Sequence, residues 1–352
     1  MSAKKPAARA RNFRSGIWYT LLCSILSIFL IFKLSPGFSL RLSLTQIHWG
    51  YIFFGLPVLF LVWFSKAYRM FAIARGMGIA VDLKSFLKIY LATCFISHIT
   101  PFSSGGTPLQ IYLISKQGVP LGKATAITAV DLGLHSAFFI LLIPLAFLLN
   151  MQLLRNRFFS ADGFKAGLGW SLLLLLILLG SVSLLRGRGR SLPFLVRIGQ
   201  LKWVRRIWLV VMQNKWLKNL HREWELFREG WFTLVRHNPA SIGWAFLATL
   251  VYWLFYFLLA PIIIWSLGRP ASFWALISRQ LFYNFGQILV PTPGGSGGSE
   301  LLLTYLFKSI TGASLIGPFV FFWKLYTFYC TLLLGGYYFF KLTRGELESK
   351  EV

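Results

Sequence analysis

The stretch Ile288–Leu303, ILVPTPGGSGGSELLL, places two prolines, four glycines and two serines between apolar segments and follows them at once with Glu300. A second stretch reads like a copy of it. SGGTPLQIYLISK (Ser104–Lys116) and SGGSELLLTYLFK (Ser296–Lys308) align at a single offset of 192, matching Ser, Gly, Gly, a hydroxyl residue and the terminal Lys. Proline precedes both, at Pro101 in the first and at Pro291 and Pro293 in the second. A shared offset across a punctuated motif is the mark of an internal repeat.

The solvent of the chain decides what these breaks mean. Of 352 residues 56% are hydrophobic and 13% charged, and the mean hydropathy is +0.65. A soluble domain of this size could not hide that much apolar surface, so the bilayer is the expected solvent. Lys and Arg number 36 against 10 Asp and Glu. They flank apolar runs and do not form a basic face, which points to membrane orientation and anionic lipid rather than to nucleic acid. Cys23, Cys94 and Cys330 lie far apart inside apolar runs, and the five histidines form no ligand motif; no metal site, cofactor or catalytic set is expected.

Six runs are long enough to span, at about 17–34, 49–65, 124–149, 166–185, 241–267 and 315–340. Segments 86–115 and 271–312 are apolar but broken midway, as re-entrant pairs of half-helices would be. With an internal N-terminus, segments 1–16, 66–88, 116–123, 186–240 and the tail are cytoplasmic and hold 27 of the 36 Lys and Arg, in accord with the positive-inside rule. The expected fold is therefore an all-α polytopic membrane protein with about six full transmembrane helices plus two re-entrant broken helical hairpins in an inverted repeat. Residues 1–16 form a basic tail, 17–340 a single membrane domain and 341–352 a second cytoplasmic tail. Within the basic loop 186–240, Leu217, Leu220, Trp224, Phe227, Trp231 and Leu234 recur at 3,4,3,4,3 spacing. That is an amphipathic helix, lying either on the inner membrane surface or against the bundle.

The breaks carry chemistry. Thr107 before Pro108, and Ser299 before Glu300, read as N-caps of half-helices that start inside the membrane. Backbone N–H groups at such a start attract anions, and paired glycines let a ligand approach closely. The candidate head-group site is thus Ser104, Gly105, Gly106 and Thr107 with Pro291, Pro293, Gly294, Gly295, Gly297, Gly298, Ser299 and Glu300. Two such sites entering from opposite faces are the architecture of alternating access. Asp131 and Glu300 are the acidic residues inside apolar segments, and each needs a partner or a role. Glu300 either caps its helix or handles a proton or cationic group. Asp131 is expected to pair with Lys324, the cation inside the last span, while His135 one turn on is read as a packing residue.

TPFSSGGTPLQIYLI and VPTPGGSGGSELL resemble the paired signatures of the lysylphosphatidylglycerol synthase transmembrane-region family, also called flippase-like domain proteins. The family includes the N-terminal flippase domain of the multiple peptide resistance factor. The resemblance covers roughly 15–340 and implies an inner-membrane protein that moves lipids or lipid-linked groups between leaflets. By motif position it implicates Pro101, Gly105, Gly106, Pro291, Pro293, Gly294, Gly295, Gly297 and Glu300. Two departures bear on the substrate: Thr107–Gln110 stand where many relatives carry charge, and Lys324 where many carry Arg. Synthase activity in fused relatives belongs to a soluble C-terminal domain, for which KLTRGELESKEV leaves no room, so no enzyme is expected. The partners expected are membrane lipids, anionic phospholipid or lipid-linked phosphate. The alternative is a non-transporting membrane partner of a lipid-modifying or glycosyl-transferring enzyme.

Overall fold

A computed structural model describes residues 47–149, 215–269, 271–288 and 290–348, with Leu26 and Phe29 as isolated positions. The expected spans 17–34 and 166–185, and the loop up to 214, lie outside the described residues. Those described are helical, with no strand among them. The helices are α1 (Trp49–Gly76), α2 (Leu83–Ile99), α3 (Gly106–Ser115), α4 (Leu121–Leu149), α5 (Lys215–Phe232), α6 (Pro239–Ser266), α7 (Phe273–Ile288), α8 (Gly298–Thr311), α9 (Ile316–Lys324) and α10 (Cys330–Glu348). Among the described residues three continuous helices are long and apolar enough to cross a membrane: Trp49–Gly76, Pro239–Ser266 and Ile316–Thr343.

The correspondence between the two stretches extends beyond the motif. α1 and α6 are both 28 residues long, and their ends are offset by 190 positions. Each is followed by a left-handed glycine, Gly78 and Gly268, and then by a shorter helix that leads into a proline turn. The turns correspond residue by residue: Pro101–Ser103 and Pro293–Gly295 are both single 3₁₀ turns. Gly294 and Gly295 have φ of 60° and 67°, and the equivalent Phe102 and Ser103 are held at 52° and 54°. A left-handed conformation costs a side-chain-bearing residue roughly 1–2 kcal/mol. That the first turn keeps it without glycine shows that the surrounding helices impose the shape.

α1 and α6 pack along their length and run antiparallel, tied at both ends. The His48 N–H donates to the Ser266 carbonyl at 2.7 Å, and Asn238 Nδ2 donates to the Gly76 carbonyl at 2.9 Å. Small residues help: Gly76 lies against Ser241 of α6, and Ala67, Ala245 and Ala260 are buried on these helices, letting backbones approach where lipid provides no hydrophobic drive. Further contacts also link the halves: α2 packs on α10, α4 packs on α7, and the two proline turns lie against one another.

Two boundaries differ from expectation for a stated reason. The apolar window of the second span closes at 65, yet α1 continues to Gly76 with Lys66 and Arg69 buried inside the protein. Both reach the carboxylate of one acidic residue, Asp131, inside the protein. The expected amphipathic helix is α5. It packs on α4, with Phe227 and Trp231 against the core of α1, α2 and α4 and Trp224 exposed. The Gly122 N–H, at the start of α4, donates to Glu223 Oε2 at 2.6 Å, placing a carboxylate at the positive end of that helix.

Candidate functional site

The half-helices begin two residues earlier than the N-cap reading predicts. α3 starts at Gly106 after Gly105, and α8 at Gly298 after Gly297, so Thr107 and Ser299 lie inside the first turns. Neighbouring side chains explain the shift. Thr100 Oγ1 already accepts the Gly105 N–H at 3.1 Å. In the second copy Glu300 reaches back, Oε2 accepting the Gly297 N–H and the Ser299 hydroxyl, both at 2.8 Å.

The two broken segments meet at Gly294. A Cβ there would lie 2.7 Å from the carbonyl oxygen of His98, at the end of α2, and 2.6 Å from the Phe328 ring, so the second turn packs on the helix leading into the first only as glycine. Gly294→Ala is expected to cost about 2–5 kcal/mol from left-handed strain plus overpacking, read as a lower unfolding midpoint in micelles. A loss no larger than that of an exposed control substitution would show that the segments are not locked together. Ser104, Thr107 and Pro108 are exposed, whereas Gly294, Gly295, Ser296, Ser299 and Glu300 are buried. The two copies therefore present different faces.

Beside Gly294 the helices enclose a cavity of about 180 Å³. Tyr90, Tyr252, Tyr256 and Tyr283 line it with His98 and Lys324. Of the residues singled out from sequence, Gly294 and Lys324 reach its wall. The His98 Nε2 is buried without a hydrogen-bond partner. A larger groove of about 980 Å³ opens at the His48 and Trp265 ends of α1 and α6, and neither proline turn lines it.

Two buried charge clusters flank the cavity, and they correct the expected pairing of Asp131 with Lys324. Lys324 instead lies 3.1 Å from Glu300 Oε1, with its ammonium over the Phe328 ring at 4.9 Å. Both members are dry, at 1% and 0% exposure. Glu300 thus caps its helix and neutralises Lys324 at once. Asp131 is held by α1: Lys66 Nζ is 2.6 Å from Oδ2 and Arg69 Nε is 2.6 Å from Oδ1. Gln110 of α3 donates to the same carboxylate at 3.4 Å, and Arg69 Nη1 donates to Thr249 Oγ1 of α6 at 3.3 Å. The reason for the exchange is reach. Lys66 and Arg69 are three apart on one face of α1, opposite Asp131, while Lys324 faces the start of α8. His135 packs as expected, its ring 4.9 Å from that of Trp253. Among the described residues no cluster of His, Cys, Asp and Glu could hold a metal ion.

Sequence reasoning missed Lys66, Arg69, His98 and the four tyrosines. Lys66 and Arg69 could have been noticed, since an i, i+3 pair of cations within reach of an apolar span is unusual. Nothing local marks the tyrosines, which come from three separate helices.

The fold and site therefore define an all-helical integral membrane domain with a paired helix break and buried ion pairs. The sequence profile of the lysylphosphatidylglycerol synthase TM region matches residues 17–335, and the chain belongs to that family. It is also 26% identical over 315 residues to a UPF0104 membrane protein from Archaeoglobus fulgidus, covering 90% of this chain and 93% of that one. No solved structure matches.

Proposed function

We propose that the protein is a lipid translocase, a flippase or scramblase and not an enzyme, moving a phospholipid or polyprenyl-phosphate-linked lipid between leaflets of the inner membrane. The observation that carries the reading is the meeting of the two broken segments beside a polar, aromatic-lined cavity. At roughly 30 Å³ per water, the cavity admits about six waters. That is room for a head group but not for acyl chains, which would trail outward between helices. Membership in a family named for a lipid synthase's membrane region agrees with a lipid-related role.

The six-plus-two arrangement belongs to the same proposal. Equal lengths and antiparallel packing of α1 and α6 support an inverted repeat, in which corresponding helices must run in opposite directions. Both termini and α5 then face the cytoplasm, and the α6–α7 connection faces outward. In a background with the native cysteines replaced, Arg269→Cys should react with an impermeant maleimide from outside, and Arg222→Cys should not. Equal labelling of both from one side would end the scheme.

Translocation is tested by reconstituting the purified protein in vesicles with labelled phospholipids and scoring leaflet exchange against protein-free vesicles. Exchange at the protein-free rate for phospholipid and polyprenyl-phosphate probes alike would instead favour the non-transporting partner.

A further inference from the structure

The two buried clusters are not electrically equivalent. Glu300 and Lys324 sum to zero, whereas Lys66, Arg69 and Asp131 leave one positive charge uncompensated where Arg69 and Asp131 are both 0% exposed. Neither Gln110 nor Thr249, the polar groups that complete the cluster, can supply the missing negative charge. An unbalanced charge in so dry a place costs several kcal/mol, so the cluster calls for an anion. The hydrogen-bond inventory agrees: Arg69 Nε and Nη1 have acceptors, but Nη2 is buried with none. The free Nη2 of a guanidinium beside an ammonium is suited to an oxyanion.

The cluster adjoins the cavity. Val62 and Trp63, one turn before Lys66 on α1, line the cavity together with Tyr90 and Tyr252. The Lys66 ammonium lies 6.0 Å from the Tyr90 ring, and the Arg69 guanidinium lies 5.8 Å from the Tyr252 ring. At the other end, Lys324 is already neutralised by Glu300, and the Gly297 N–H is already bonded. We infer that Lys66 and Arg69 form an anion-binding site at the α1 end of the cavity, and that its ligand is the phosphate of a lipid head group. This moves the phosphate away from the half-helix N-termini. Anion binding stands without the translocase reading; the lipid as its source rests on it.

The test uses purified full-length protein in micelles and the shift of its unfolding midpoint. The probes are dihexanoyl phosphatidic acid, dihexanoyl phosphatidylcholine and inorganic phosphate. The wild type should be stabilised by phosphatidic acid, and Lys66→Met and Arg69→Met should each weaken that affinity about tenfold or more, the loss of one charge-assisted contact. Each variant leaves Asp131 one cation, so a neutral pair remains and the fold should survive. Unchanged affinity in both, or loss in Lys324→Met with retention in both α1 variants, overturns the assignment. An equal response to inorganic phosphate keeps the anion site and overturns the lipid as its source. Should the α1 variants fail to fold, wild-type protein with a phosphatidic acid carrying a diazirine beside the phosphate should crosslink to peptides holding Trp63 or Tyr90; crosslinks confined to α8 and α9 would refute the site. Leaflet exchange is measured in parallel. Exchange with unaltered binding in the variants sinks this inference alone, and binding without exchange sinks the translocase reading while leaving the anion site.

Discussion

Asp131→Asn is expected to destabilise the folded protein by about 3–5 kcal/mol, the usual cost of removing one partner from a buried ion pair. Here the loss is compounded, because Lys66 and Arg69 both use that carboxylate and would be left as two facing cations. Asparagine keeps the size and can still accept from Gln110, so packing is not the cause. Lys66→Met and Arg69→Met, each leaving a neutral pair, should cost clearly less. Denaturant unfolding in micelles measures all three. A loss for Asp131→Asn no greater than for the two cation variants would mean that the cluster's charge is compensated elsewhere.

The second large effect is expected at Glu300. Glu300→Gln strips Lys324 of its counter-charge in a site with 0% and 1% exposure and weakens the acceptor that holds the Gly297 N–H. A loss of about 3–5 kcal/mol follows. Adding Lys324→Met should recover most of it, since exchanging a whole buried pair for neutral groups is often close to neutral. A double-mutant cycle reads the coupling, and additive losses would show that the two charges do not depend on each other. Leaflet exchange supplies the functional arm. The stabilised double variant should remain impaired, because the cavity wall has lost Lys324. Exchange at the wild-type rate would make the pair a structural tie only.

These two predictions depend on partners that no local pattern reveals. Asp131 and Glu300 stood out in sequence because a carboxylate in an apolar run is costly wherever it lies. Choosing between Lys66, Arg69 and Lys324 as partners needed the directions of α1, α4 and α9 in space. The apolar window that ended at residue 65 hid Lys66 and Arg69 by assigning them to a loop. Hydropathy averages over faces, and the buried face of a membrane helix can carry charge that a partner neutralises.

By itself the sequence determined what depends on composition and local stereochemistry. It fixed the bilayer as solvent through its apolar excess, and helix as the conformation, because lipid leaves backbone groups no other partner. Breaks at 101–106 and 291–298 followed from proline and glycine, and the 192-residue offset announced the repeat. The paired signatures also carried the family, which the match over 17–335 bears out. The tertiary structure alone decided that the two broken segments meet at Gly294, that α1 and α6 are antiparallel, and that four tyrosines from three helices close around one cavity. It also decided which charges neutralise one another and which cation is left over. Those outcomes depend on distances of a few ångströms between residues as far apart in sequence as His48 and Ser266, and no local rule of backbone conformation encodes such distances.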